Sequence, residues 1–159
     1  MTTDDTNDKN NENNEHNENG KNTVRVGEGD KELAGRLDEE LTAFNSRATG
    51  AYDEQELSVR VTDETGALVG GLTGSTWGGL GSTHMLWVRE DARRDGWGSK
   101  LMRAAEEEMR RRGCDRAMVS SFTFQAPDFY KGLGYEETAR LPGIPGGHED
   151  VFLFKKLPR

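Results

Sequence analysis

The run from Met85 to Arg112 constrains the fold most. Met85-Leu86-Trp87-Val88 reads as an apolar strand, and Arg93-Arg94-Asp95-Gly96-Trp97-Gly98 as a tight glycine loop. Leu101, Met102, Ala105 and Met109 then mark the buried stripe of an amphipathic helix from about Gly98 to Arg112. Strand, glycine loop and helix N-terminus in that order make an anion site. The first helical turn has N–H groups without partners, and the helix dipole favours negative charge there. Gly96 and Gly98 lack the Cβ atoms that would hold a phosphate away from the backbone. The loop is therefore expected to carry a pyrophosphate.

The rest of the chain fits one domain. Of the 159 residues, 1–23 are almost all Asn, Asp, Glu, Thr and Lys, with no apolar side chain after Met1. Such a segment cannot bury surface, so a disordered acidic tail is expected, followed by a folded domain over 24–159. The net charge is −8. Binding to nucleic acid needs a basic face, and this composition argues against it. Arginine outnumbers lysine two to one and acids cluster between Glu28 and Glu64. That pattern suits either a protein kept soluble in high salt or an ordinary acidic one. The single cysteine, Cys114, rules out an intramolecular disulfide and a cysteine-based zinc site, and its setting beside Gly113 suggests a buried thiol. No metal site is expected. No stretch is long and apolar enough to span a membrane, and no apolar signal region precedes the domain, so a cytoplasmic location is the expectation.

Periodicity supplies the other elements. Val24–Val26 reads as a short first strand, and Asp30 as the cap of a helix with a stripe of Leu33, Leu37, Leu41 and Phe44. Asn45–Glu54 reads as a polar loop. Leu57–Val61 alternates as a strand, Asp63–Gly66 is a hairpin turn, and Ala67–Thr73 returns, with Gly70-Gly71 predicting a bulge or a close backbone approach. A second glycine loop, Trp77–Gly81, leads to a strand over Thr83–Val88. Glu106, Glu107 and Glu108 each precede an arginine by four residues, which predicts three solvent-facing ion pairs, and Gly113 ends the helix. Arg116–Phe122 is a further strand, Pro127 to Gly134 a short helix, and Val151–Leu157 a last strand. The expected fold is α/β (α+β): a mixed, mostly antiparallel central sheet with helices on both faces.

Leu86-Trp87-Val88 through Arg93-x-x-Gly96-x-Gly98 resembles the acetyl-CoA motif of the GNAT superfamily of N-acetyltransferases. The run Gln125-Ala126-Pro127-Asp128-Phe129-Tyr130-Lys131-Gly132-Leu133-Gly134-Tyr135 resembles that superfamily's second motif. A P-loop fails on spacing and order, and a dinucleotide fingerprint fails because it needs three glycines and a place near the first strand. The resemblance implies acetyl-CoA as cosubstrate, entering a split between the strands that end at Val88 and near Phe122. It implies that Leu86, Trp87 and Val88 pair with the pantetheine arm through their main chain. Gln125 is placed with the cofactor site too. The N–H groups from Arg94 through Asp95, Gly96, Trp97 and Gly98 to Ser99 would hold the pyrophosphate. Arg93, Arg94 and Lys100 supply nearby cations.

The acceptor amine must lose a proton, the oxyanion must be stabilised and the thiolate must be protonated. The resemblance gives Tyr130 the acid role, although Ala126, Phe129, Tyr130 and Leu133 also share one helical face and would pack. His84, on the cofactor-lining strand, has the right basicity for proton removal or is simply structural. His148 is a second candidate base, and a desolvated amine could arrive neutral. The oxyanion donor is implied at the amide of Leu86 or Trp87. Trp77 is a candidate acceptor-pocket wall, and Asp53, Glu54 and Glu56 could attract a cationic acceptor or form a solvated face. The expected acceptor is a primary amine on a small molecule. Alternatives are a protein N-terminal or lysine acetyltransferase, or a catalytically silent acyl-CoA sensor. Related proteins are often dimers, so a homodimer is compatible with the resemblance.

Overall fold

The computed structural model describes residues 22–158. The tail expected over 1–23 lies, up to residue 21, outside them. The chain divides into two units at Phe44/Asn45, and that boundary falls within helix α1 (Lys31–Thr49). The Asp30 carboxylate accepts the Leu33 N–H at 3.0 Å, so Asp30 does cap α1. Arg36 and Glu40 form an exposed i,i+4 pair at 2.6 Å. Two expectations fail here. Val24–Val26 is not a strand but exposed chain without regular structure, and it pairs with no strand among the described residues. The loop expected from Asn45 starts only after Thr49, whose hydroxyl bonds back to the Asn45 carbonyl within the helix.

Residues 45–158 hold one six-stranded sheet in the order β1-β2-β3-β4-β6-β5. The strands are β1 (Gln55–Thr62), β2 (Leu68–Trp77), β3 (Leu80–Val88), β4 (Arg116–Phe122), β5 (Glu136–Ile144) and β6 (His148–Lys156). Only β3 and β4 run parallel; every other pair is antiparallel. Gly78 and Gly79, with φ of 55° and 81°, make the two-residue turn between β2 and β3. Positive φ at both positions is what a type I′ turn demands, so the second glycine loop is much shorter than the sequence suggests. β5 has no counterpart among the elements that periodicity supplies.

Helices α2 (Trp97–Arg111) and α3 (Pro127–Gly132) pack against the sheet. α2 buries Leu101, Met102, Ala105 and Met109 along one face and has no β-branched residue to slow it. Its end is a Schellman motif: Cys114 N–H bonds to the Met109 carbonyl and Gly113 N–H to that of Arg110, both at 2.9 Å. Gly134 closes α3 in the same way, through Tyr135 N–H to Tyr130 and its own N–H to Lys131. The core joins Leu57, Leu72, Met102, Met109, Val119, Tyr130, Tyr135, Val151 and Leu153, with Cys114 buried among them as expected. Each large apolar side chain there contributes about 1.5–3 kcal/mol by burial. Gly70 makes the close backbone approach foreseen for it: a Cβ would lie 3.1 Å from the Trp87 carbonyl oxygen of β3, and 3.2 Å from the Leu101 side chain of α2.

The ion pairs of α2 differ from the expected trio. Glu106 is buried, and both its oxygens accept from Lys155 Nζ of β6 at 2.8 Å, with Arg110 a more distant 3.5 Å. Glu108 takes both Arg111 and Arg112, and Arg112 also reaches the Glu56 carbonyl. Two of the expected i,i+4 pairs are thus present, Glu106–Arg110 and Glu108–Arg112, while Arg111 turns to Glu108 rather than Glu107 and Glu106 gains a buried tertiary partner.

Candidate active site

The site is a defect in the sheet. β3 and β4 pair only from Leu80/Arg116 to Thr83/Val119. Beyond that point they diverge, because the β2–β3 register shifts between Thr73 and Gly74. Thr73 faces Met85 and Gly74 faces Thr83, which leaves His84 as the extra residue of a bulge. A bulge bends its strand and adds twist. Gly74 is needed there: a Cβ on it would stand 2.2 Å from the Ser82 carbonyl oxygen. The edge of β3 from Leu86 to Val88 therefore faces a gap instead of a strand, and the gap is a cavity of about 780 Å³.

Most residues that the sequence nominated converge on this cavity. His84, Leu86, Trp87, Val88, Arg93, Arg94, Gly96, Trp97, Gly98, Ser99, Gln125 and Tyr130 all line it. Asp95 and Lys100 do not; Lys100 Nζ lies over the Trp97 ring at 4.1 Å. Trp77 does not line it either, because it closes the hairpin at the opposite end of β3 from Val88. Sequence reasoning missed Thr83, Met85, Ser120 and Ser121 as lining residues. Only the register of β3 against β4 reveals them.

The glycine loop is built as the sequence suggests. After β3 a 3-10 turn (Glu90–Ala92) leads to Arg94 and Gly96, with φ of 71° and 80°. Both are left-handed, so the chain reverses sharply into α2. The first main-chain bond of that helix runs from Lys100 N–H to the Gly96 carbonyl. The N–H groups of Trp97, Gly98 and Ser99 precede it, on residues that line the cavity. Arg93 Nε donates to the Val88 carbonyl at 3.1 Å, which ties the loop to the strand end and occupies one acceptor of Val88.

Tyr130 is 7% exposed, and its ring meets Phe129 and Tyr135 edge-on at 5.0 and 6.0 Å. Burial pushes its phenol pKa up, so the hydroxyl keeps its proton at neutral pH. Tyr135 is pushed up further, by burial first and then by the Glu106 charge. α3 starts where the Ser121 hydroxyl accepts the Ala126 N–H at 3.4 Å. Gln125 shapes the turn before α3, where its side-chain oxygen accepts the Phe122 N–H while its own N–H bonds to the Phe122 carbonyl. His84 is exposed, with Nε2 3.2 Å from the Ser75 hydroxyl. His148 lies apart from the cavity lining, with Nδ1 3.0 Å from the Thr123 hydroxyl.

The cavity suits an extended thioester cosubstrate. The Thr83 hydroxyl, at the point where the strands part, is buried and hydrogen-bonds to nothing among the described residues. With the unpartnered edge of β3 and the glycine loop, it offers polar groups along the whole split. Two parallel strands parted beside a bulge, with a glycine loop and a helix N-terminus at the end of one of them, leave room for a long ligand with an anionic end. Comparison with known proteins agrees. The acetyltransferase (GNAT) family model matches residues 23–135, and the chain belongs to that family, whose cosubstrate is acetyl-CoA. It is 38% identical over 116 residues to the blasticidin-S acetyltransferase of Streptomyces morookaense, covering 70% of this chain and 85% of that protein. It is 29% identical over 136 residues to an acetyltransferase of Agrobacterium fabrum, covering 86% of this chain and 99% of that protein. The crystal structure of an acetyltransferase from Bacillus cereus superposes with a TM-score of 0.73 at 31% identity, covering 84% of this chain and 98% of that one. Among the described residues, no helix is long and apolar enough to cross a membrane.

Proposed function

We propose that this enzyme acetylates a primary amine of a small molecule, by direct attack on acetyl-CoA in a ternary complex. The observation that carries the reading is that Tyr130, His84 and the glycine loop line one cavity between parted strands. Acetyl-CoA supplies an activated acyl carbon. The chain supplies the rest. The first-turn N–H groups of α2 hold the pyrophosphate, and the free edge of β3 aligns the arm. His84 accepts a proton from the ammonium of the acceptor, with its ring held by Ser75. His84 is favoured over His148 because, of the two, His84 alone lines the cavity. The amide of Leu86 or Trp87 is the oxyanion donor. As the C–N bond forms and the C–S bond breaks, Tyr130 gives its proton to the departing sulfur. The relative named for blasticidin S supports a small acceptor.

The test is thiol release from acetyl-CoA by the purified protein, with small amines, blasticidin S and an alanine-ended peptide as acceptors. Turnover with a small amine is the expected result. Turnover with the peptide alone, or acetyl-CoA binding with no release for any acceptor, would overturn the reading.

A further inference from the structure

A second cluster sits beside the cavity, where β4 ends and β6 begins. Asp150 of β6 stands opposite Phe122 of β4, so both side chains leave the same face of the sheet about 5 Å apart. Val151 and Leu153 fill the core, so Asp150 projects from the face opposite α2 and α3. Its Oδ1 atom is shielded from water and accepts no hydrogen bond among the described residues. A buried carboxylate oxygen without a donor is costly, and such groups normally have a partner. The neighbouring acid, Glu149, already pairs with Arg140 at 2.7 Å, and Arg140 also holds Glu137. Oδ1 of Asp150 is left with no cation of its own among the described residues.

An aromatic platform adjoins it. The rings of Phe122 and Phe124 stack at 5.3 Å and 16°, and Phe124 is 55% exposed. The His148 ring meets Phe124 edge-on at 5.0 Å and is itself fixed by Thr123. Ser120 and Ser121 precede this corner and Gln125 follows it, and all three line the cavity. We propose that Asp150, Phe122 and Phe124 form an acceptor subsite for a guanidinium-type cation. A guanidinium is flat, weakly hydrated, able to stack on an aromatic face and able to donate to a carboxylate in the same plane. A compact ammonium can sit over a ring, but it lacks the flat face that stacks on the platform while its edge donates to the carboxylate. This inference rests on the small-amine reading and adds what the distal end of the acceptor carries.

The probes are agmatine, a primary amine with a guanidinium at its far end, and pentylamine, with a neutral end. Each is titrated calorimetrically onto the CoA-saturated wild type, Asp150→Asn and Phe124→Ala. Agmatine should bind at least about tenfold more tightly than pentylamine, the scale of one hydrogen bond to a charged group. Asp150→Asn should abolish that preference, and exposed Phe124→Ala should reduce it several-fold. Unchanged CoA affinity and melting check the fold of both variants. Equal binding of the two amines, no binding of agmatine, or an intact preference in Asp150→Asn would overturn the subsite. Thiol release from acetyl-CoA is read separately. Selective binding without release counts against the small-amine reading and leaves the subsite standing; release without selectivity refutes the subsite alone.

Discussion

Breaking the Glu106–Lys155 pair should be asymmetric, and the asymmetry follows from burial. The Glu106 side chain is 4% exposed and that of Lys155 is 20% exposed. Lys155→Met strands the Glu106 carboxylate under α2 with only Arg110, at 3.5 Å, to answer it. Removing one partner of a buried pair costs about 3 kcal/mol or somewhat more. Glu106→Gln keeps one acceptor oxygen for Lys155, whose partly exposed ammonium can also turn toward water, so the cost is about 1 kcal/mol. Glu106→Leu combined with Lys155→Met removes both charges and should fall within about 1 kcal/mol of wild type. At roughly 3–4 °C per kcal/mol for a domain of this size, Lys155→Met should melt about 10 °C lower, and the other two variants within about 4 °C of wild type. Urea unfolding followed by far-UV circular dichroism, with calorimetry for the melting temperature, measures all three. Greater damage from Glu106→Gln than from Lys155→Met, or a double variant that loses as much as Lys155→Met alone, would refute the burial account.

Three further outcomes are expected. Tyr130→Phe should lower kcat about a hundredfold in thiol-release assays with little change in the KM for acetyl-CoA, the usual scale for a lost general acid; a loss below about threefold would leave Tyr130 a packing residue. Gly96→Ala meets open space but must hold φ of 80°, a conformation that costs a Cβ-bearing residue about 1–2 kcal/mol, so acetyl-CoA affinity measured by calorimetry should fall roughly tenfold. The Asp63 carboxyl sits at about 2, held below its ordinary 3.8 by the Thr65 hydroxyl first and Arg89 second. Its lowered value adds stability above the ordinary range and loses it as pH falls toward 2. Carboxyl NMR titration should show the low midpoint, and Thr65→Val should move it upward.

How much the sequence reveals depends on how local the cause is. The boundaries of α2 come within a residue of expectation, because Gly96 and Gly113 set its ends through their own φ angles. The glycine loop and the run from Gln125 to Tyr135 lead to the cavity for the same reason. β5 is hidden because it is an edge strand, exposed along its length except at Ile144, so no alternation of apolar and polar residues betrays it. Its Pro142 and Gly143 look like a loop, yet a sheet edge tolerates proline. Glu106 reads as a surface acid since its neighbour four residues on is an arginine; Lys155, 49 residues away, is decisive. The bulge at His84 and the stranded oxygen of Asp150 are properties of strand register, which no single segment contains.

The joint between β3 and β4 is four residue pairs long, and it divides the sheet into two leaves of a book. One leaf holds β1, β2 and β3 with α2 riding on it; the other holds β4, β6 and β5 with α3. Within each leaf the strands are laced by long antiparallel ladders, whereas the spine between the leaves is short and sits at one end. A molecule lying in the open angle acts as a wedge and a stitch together, bonding to one page while resting against the other. His84 stands on one page and Tyr130 on the other, so a molecule in that angle would touch both, while the Glu106–Lys155 pair clasps α2 to the far page.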